Sequence, residues 1–242
     1  MKYYLFVFVV WCQVLSTQAQ HNFRAAMPGA FDEEYPSALG VQLALNKEEY
    51  NLNAYTNIHL NANRSIAAVY SYQHSLDSLD TKHNSWELQE AELGYGHTEH
   101  YGSFYSQAIA YIGFQRYSYR YYDTALKIQS YGTSSLSASF EFQGGVRYEY
   151  WSLAVTNRFK GMYALGGIEA PNQSNTAALH ALQSSRTTLS NIIYEPGLML
   201  GLLSSPDTYI TLSAQTRFQG NGTANFTYTN TWNCAVGVFI SF

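Results

Sequence analysis

Residues 136–150 alternate without a break. Leu136, Ala138, Phe140, Phe142, Gly144, Val146, Tyr148 and Tyr150 share one parity, and Ser137, Ser139, Glu141, Gln143, Gly145, Arg147 and Glu149 share the other. A β-strand sends successive side chains to opposite faces. The stretch therefore makes a ribbon that is apolar on one side and polar or charged on the other. The end of the chain repeats the pattern. Phe226, Tyr228, Trp232, Cys234, Val236, Val238, Ile240 and Phe242 fall together, with Asn230 the one break. Thr227, Thr229, Thr231, Asn233, Ala235, Gly237 and Ser241 lie opposite. Ten segments of this kind are predicted, at 37–46, 50–61, 65–75, 86–98, 102–118, 135–149, 151–165, 188–203, 208–219 and 226–242. Long two-faced ribbons must close one face away from solvent. A soluble sandwich or lipocalin-like barrel turns the apolar face inward; a membrane barrel turns it outward.

Three features favour the membrane. The segments run well past the ~5–6 residues of an ordinary strand and match the length of a tilted crossing. The polar faces mix glycine and small residues with charges, which suits a narrow lumen. The connections alternate in length. Ala62–Arg64, Glu99–Tyr101, Tyr150-Trp151 and Ser204–Asp207 are short, whereas 76–85, 119–134, 166–187 and 220–225 are long. Short turns at one end and longer loops at the other are the arrangement of a transmembrane barrel. Only 12% of the chain is charged, about half the usual share for a soluble domain. The fold class expected is all-β: an antiparallel up-and-down transmembrane β-barrel of about ten strands with both termini periplasmic. The aromatics sort into two rims, as headgroup-level girdles do. Phe104, Tyr148, Tyr150, Trp151 and Phe242 fall near the short turns. Trp86, Phe114, Tyr163, Tyr194, Phe218, Phe226 and Tyr228 fall near the long loops.

The first residues read as a secretory signal. Met1-Lys2 is basic, Tyr3–Leu15 is apolar apart from Gln13, and Ser16-Thr17-Gln18-Ala19 ends on a cleavage context. The expected domains are a signal peptide over 1–19, a periplasmic lead-in over 20–36 and the barrel over 37–242. Removing Lys2 leaves 12 bases against 17 acids, a net charge of −5. That balance lacks the basic face of a nucleic-acid binder. Only Cys234 remains after cleavage, so no internal disulfide can form.

The chain closes on Val236-Gly237-Val238-Phe239-Ile240-Ser241-Phe242, an alternating strand with an aromatic terminus. Together with Glu90-Ala91-Glu92-Leu93-Gly94-Tyr95-Gly96 and Ile193-Tyr194-Glu195-Pro196-Gly197-Leu198, it resembles the small outer-membrane β-barrel proteins of Bacteroidota. The resemblance spans roughly 37–242. It implies insertion from the periplasm by barrel-assembly machinery, contact with outer-membrane lipid, and no catalytic residues to carry over. The long 166–187 loop and the Tyr-rich stretch at 117–122 depart from that family.

On the barrel reading Glu90, Glu92, Glu141, Glu149 and Glu195 point into the lumen with Arg147, Arg158, Lys160 and Arg217. Buried charges must be paired, and a ten-stranded lumen is scarcely wider than one that side chains fill. The expectation is a plugged, charge-balanced interior. Candidate chemistry is thin. Asp77, Asp80, His83, Asp123 and His180 lie in loops without a recognisable constellation. His97 and His100 flank Glu99, but a strand does not bring such a pair together. No catalytic residue, metal ligand or cofactor is assigned. Asn63, Asn172, Asn221 and Asn225 begin Asn-x-Ser/Thr triplets. Asp77-Ser78-Leu79 and Asp123-Thr124-Ala125 match the O-glycosylation triplet of Bacteroidota and make Ser78 and Thr124 candidate acceptors.

The function expected is a structural or accessory subunit beside a larger outer-membrane protein or lipoprotein. A narrow channel for small solutes is the alternative. A surface enzyme or adhesin acting through 119–134 and 166–187 is the third.

Overall fold

The computed structural model describes residues 37–45, 49–61, 63–77, 84–123, 127–165, 190–205, 207–216, 218–219 and 233–242. The strands are β1 Ala38–Leu45, β2 Glu49–Asn61, β3 Arg64–Asp77, β4 Asn84–Tyr101, β5 Phe104–Asp123, β6 Lys127–Arg147, β7 Trp151–Ala164, β8 Ser190–Ser205, β9 Thr208–Gln215, β10 Phe218–Gln219 and β11 Asn233–Ser241. Neighbours in sequence pair antiparallel from β1 to β9. β9 then pairs with β11, and β11 pairs with β1. The ring is closed, so ten strands form the wall with no open edge around it. β10 is a two-residue extension against Tyr194 and Ile193 of β8.

The predicted segments and the observed strands agree closely where both are described: 226–232 of the last predicted segment lies outside the described residues, Glu99–Tyr101, read as a turn, ends β4, and one stretch needs a larger correction. The stretch 119–134, a long loop by its sequence pattern, is a hairpin. β5 and β6 stay paired from Phe104↔Val146 to Asp123↔Lys127, leaving only 124–126 between them. Tyr, Ile and Thr are strong strand formers, and Tyr117–Tyr122 faces Ile128–Thr133 across the ladder. The hairpin runs past the apolar belt, and Arg116, Ser118 and Ser134 follow Phe114 and Leu136 on their strands. Both faces turn polar there, so the period-two signal disappears although the strands continue.

Local chemistry sets the short turns. The Asn61 side-chain oxygen accepts the backbone N–H of Asn63 at 3.1 Å and of Arg64 at 3.0 Å. The β6–β7 turn closes through Tyr148 N–H to the Trp151 carbonyl at 2.8 Å, under rings 4.6 Å apart. In the β8–β9 turn Ser205 donates its hydroxyl to Asp207 at 2.5 Å. That bond holds the Asp207 carboxyl below its ordinary range, aided by its own backbone and by Thr208. A lowered native value stabilises the turn above the unfolded pKa and loses that contribution as pH falls through the folded one. Ser205→Ala should raise the Asp207 titration, as read by carboxyl NMR of the folded barrel; an unmoved curve would contradict the assignment.

The two faces of the wall are inverted relative to a soluble barrel. Leu39, Ile112, Leu93, Phe140, Val155, Leu198 and Ile240 lie outward and exposed, Ile112 at 70%. Gln42, Asn53, Glu90, Glu141, Gln143, Arg158, Lys160 and Glu195 lie inward and buried. In water the outer face would be unsustainable, because large contiguous apolar patches are not tolerated on soluble monomers.

Candidate functional site: the occluded lumen

The inward residues form two layers. Toward the short turns, Tyr55, Tyr111, Tyr209, Phe239, Ile109, Val69, Ala38 and Ala67 pack into one buried apolar cluster. Tyr55 and Phe239 cross from neighbouring sides of the wall, their rings 5.5 Å apart. Phe239 is 0% exposed and Tyr55 1%. Glycine makes the space: a Cβ at Gly40 would stand 2.1 Å from the Phe239 ring, and one at Gly94 would stand 2.5 Å from the Tyr111 ring. These aromatics share the parity of the polar lumen face. Alternation alone does not reveal them, because Phe239 interrupts an otherwise polar face between Gly237 and Ser241. The available signal is an apolar residue on the polar parity with glycine opposite.

Further from the short turns lies the charged layer. Arg158 on β7 stands in register between Glu141 of β6 and Glu195 of β8. Its guanidinium donates to Glu92 at 2.7 Å and to Glu195 at 3.0 Å. Lys160, two residues on, pairs with Glu90. Ser139 donates to Glu92 at 3.1 Å and Ser137 to Glu90 at 3.3 Å. Glu92 can lean toward β7 because Gly113 stands beside it; a Cβ there would lie 2.7 Å from its Cγ. All the paired side chains are at most 3% exposed. A fork that satisfies two carboxylates at once offsets much of the cost of burying them.

The wall made by β1–β3 is polar but uncharged. Tyr55 donates its hydroxyl to Gln42 at 3.0 Å, and Gln42 donates to Ser213 at 3.1 Å. Asn51, Asn57, Ser65, Ser71 and Gln73 line the same wall, and each keeps at least one buried side-chain N or O without a hydrogen-bond partner.

Six of the nine lumen charges read from the sequence come together: Glu90, Glu92, Glu141, Glu195, Arg158 and Lys160. Arg147 is half-buried at the short-turn end of β6. Glu149 is corrected. It lies in the exposed β6–β7 turn, where the strand pattern has ended, and accepts the Tyr150 hydroxyl at 2.8 Å. That bond pushes the Tyr150 phenol above its usual value. Arg217 lies outside the described residues.

Of the girdle residues, Phe104, Phe114, Tyr148, Tyr150, Trp151, Tyr163, Phe218 and Phe242 are exposed. Tyr194 is half-buried, stacked on Phe159 at 4.7 Å and Phe218 at 6.0 Å, and its hydroxyl donates to Asn157 at 2.6 Å. Trp86 stands in β4 opposite Ser75 and Tyr119, and Phe226 and Tyr228 lie outside the described residues.

Asp77 and Asp123 end β3 and β5, and Asp80, His83, His180, Ser78 and Thr124 lie outside the described residues. His97 faces outward and bonds Glu99 at 3.0 Å, whereas the His100 ring lies tilted to that of Tyr105, their centroids 6.3 Å apart. Among the described residues no group of three or more His, Cys, Asp or Glu could hold a metal ion.

No protein-family model matches the chain, and no curated protein matches it in sequence. Solved structures similar to it include the translocator domain of the autotransporter NalP from Neisseria meningitidis. That match has 11% identity and a TM-score of 0.46, over 85% of this chain and 86% of that one. The beta domain of the Bordetella autotransporter BrkA matches at 12% identity and a TM-score of 0.43, over 85% and 97%. A major outer membrane protein from Thermus thermophilus matches at 8% identity and a TM-score of 0.42, over 85% and 99%.

Proposed function

We propose that this chain is an integral outer-membrane β-barrel, closed to bulk diffusion by its own side chains, that serves as a structural or accessory subunit of a larger membrane complex. The observation that carries the reading is the lumen. Aromatic side chains buried to 2% exposure or less fill one level, and a cross-lumen ion-pair network occupies the next. A barrel that spends its interior on packing is built to be stable in the bilayer, not to pass solute. The apolar outer belt is its lipid contact, and the short turns face the periplasm, where barrel-assembly machinery delivers the chain. Residues 1–19 act as the cleaved signal, and the exposed aromatics near each rim anchor it at headgroup level. The test is mild detergent extraction from the native membrane on a tagged copy, followed by mass spectrometry. A larger membrane protein or lipoprotein recovered at fixed stoichiometry supports the subunit reading; a lone monodisperse barrel overturns it.

One observation favours a second reading, a narrow polar path for small solutes. The unpartnered amide and hydroxyl atoms of Asn51, Asn57, Ser71 and Gln73 call for water or a polar solute. Conductance separates the two readings.

A further inference from the structure

The outward wall is hollowed over β1–β6. An open groove of about 800 Å³ crosses these strands, and all the residues that line it are described. Register explains its shape. Thr56 and Ala68 stand opposite each other between Leu39 and Leu93, so two small side chains lie between two large ones. One rung nearer the long loops, Ala54 and Ala91 flank Tyr70. Ile112 and Phe114 raise the far side, in register with Leu93 and Ala91. Ala54, Thr56 and Ala68 are half-buried, whereas Leu39, Leu93 and Ile112 are exposed. The small side chains are therefore the floor and the large ones the flanks.

The next outward rung toward the long loops is polar. Tyr72, Gln89, Arg116 and Ser134 stand in register there. Arg116 is exposed and follows Phe114 by two residues, on the same parity. At ~3.3 Å per residue it stands ~13 Å along β5 from Ile112. Glu87, one rung further, accepts the Gln89 side-chain amide at 2.7 Å. The groove thus runs through the apolar belt and ends beneath a guanidinium where that belt stops. Hydrocarbon along its length and an anion at one end is the polarity of a lipid. A guanidinium forks onto phosphate oxygens with two parallel hydrogen bonds, and a cation at the membrane surface attracts anionic headgroups.

We propose that this groove holds an acyl chain of a phosphate-bearing lipid from the leaflet on the long-loop side, with the phosphate against the Arg116 guanidinium. Shape fixes the chain and charge fixes the headgroup, which distinguishes the site from the general lipid contact of the belt. The proposal rests on the outer face meeting lipid and not on the accessory-subunit role.

The test is native mass spectrometry of the purified protein released from neutral detergent micelles. The micelles contain equal amounts of dimyristoyl phosphatidylglycerol and dimyristoylglycerol. The wild-type barrel should keep one phosphatidylglycerol in preference to the uncharged lipid. Arg116→Gln should lower that retention about tenfold or more, the worth of a charge-assisted contact, and erase the preference. Ala68→Phe keeps the cation but fills the floor, and should lower retention about tenfold, the worth of roughly two buried methylenes. Thr56→Phe fills the same floor from β2 and should do the same, so the test survives a folding failure of either variant. Val155→Phe, outward on β7 and outside the groove, should match the wild type. Undiminished retention with the floor filled overturns the proposal, and so does equal retention of the two lipids by the wild type, or retention of neither. A photoreactive phenylalanine analogue in place of Leu93 should capture lipid in native membranes. Capture of a polypeptide instead overturns the lipid site and supports the accessory-subunit reading.

Discussion

Arg158→Ala should destabilise the folded barrel by about 3–5 kcal/mol, the usual cost of removing one partner from a buried ion pair. The guanidinium holds Glu92 and Glu195 at once and stands in register beside Glu141. Its loss strands carboxylates at a level where water is scarce. The readout is the urea concentration at which the barrel unfolds in micelles. Arg158→Lys should recover part of the loss, because an ammonium keeps the charge but cannot fork to two strands. The triple variant Arg158→Met, Glu92→Gln, Glu195→Gln should recover part of it, since of the three carboxylates around Arg158 only Glu141 then stays charged. Near-wild-type stability for Arg158→Ala would mean that the layer is hydrated and that the ion pairs matter little.

Phe239→Ala should cost about 3–5 kcal/mol, the range for emptying a buried aromatic site. The companion substitution is more diagnostic. Gly40→Ala alone should cost about 1–3 kcal/mol through overpacking, because its new Cβ would meet the Phe239 ring at 2.1 Å. In the Phe239→Ala background that penalty should largely vanish. The coupling between the two should exceed about 1 kcal/mol in a double-mutant cycle, as expected for side chains competing for one space. Additive effects would show that the ring does not occupy the space that Gly40 leaves open.

Both predictions concern positions the sequence treats very differently. Arg158, Glu92 and Glu195 are legible because charges on the polar parity of long alternating strands have nowhere to go but the lumen. Their pairing follows from sequence only as a necessity, since partners come from strands 37 and 66 residues away in the chain. Phe239 and Tyr55 are opaque, because alternation assigns a face but not what fills it. The same limit hides the β5–β6 hairpin. Past Phe114 and Leu136 the outward parity turns to Arg116, Ser118 and Ser134, so Tyr117–Tyr122 carries strand propensity without a hydrophobic period. Glu149 fails for the opposite reason. Its parity is right, but the strand has ended at Arg147, and parity means nothing in a turn. The ring closure of β1 on β11 follows from the membrane reading, because an open sheet edge is not tolerated in lipid, and the register of Ala38↔Ser241 through Leu43↔Val236 makes it explicit.

The most direct test of the central claim is conductance of the purified protein in planar lipid bilayers. A lumen filled by Tyr55, Tyr111 and Phe239 predicts a wild-type trace without steps above the bare bilayer. The variant Tyr55→Ala, Tyr111→Ala, Phe239→Ala should show discrete openings, which would also establish that the protein had inserted. Stepwise ohmic conductance by the wild-type barrel would contradict the account and make the polar wall of Asn51, Asn57, Ser71 and Gln73 the lining of a working pore.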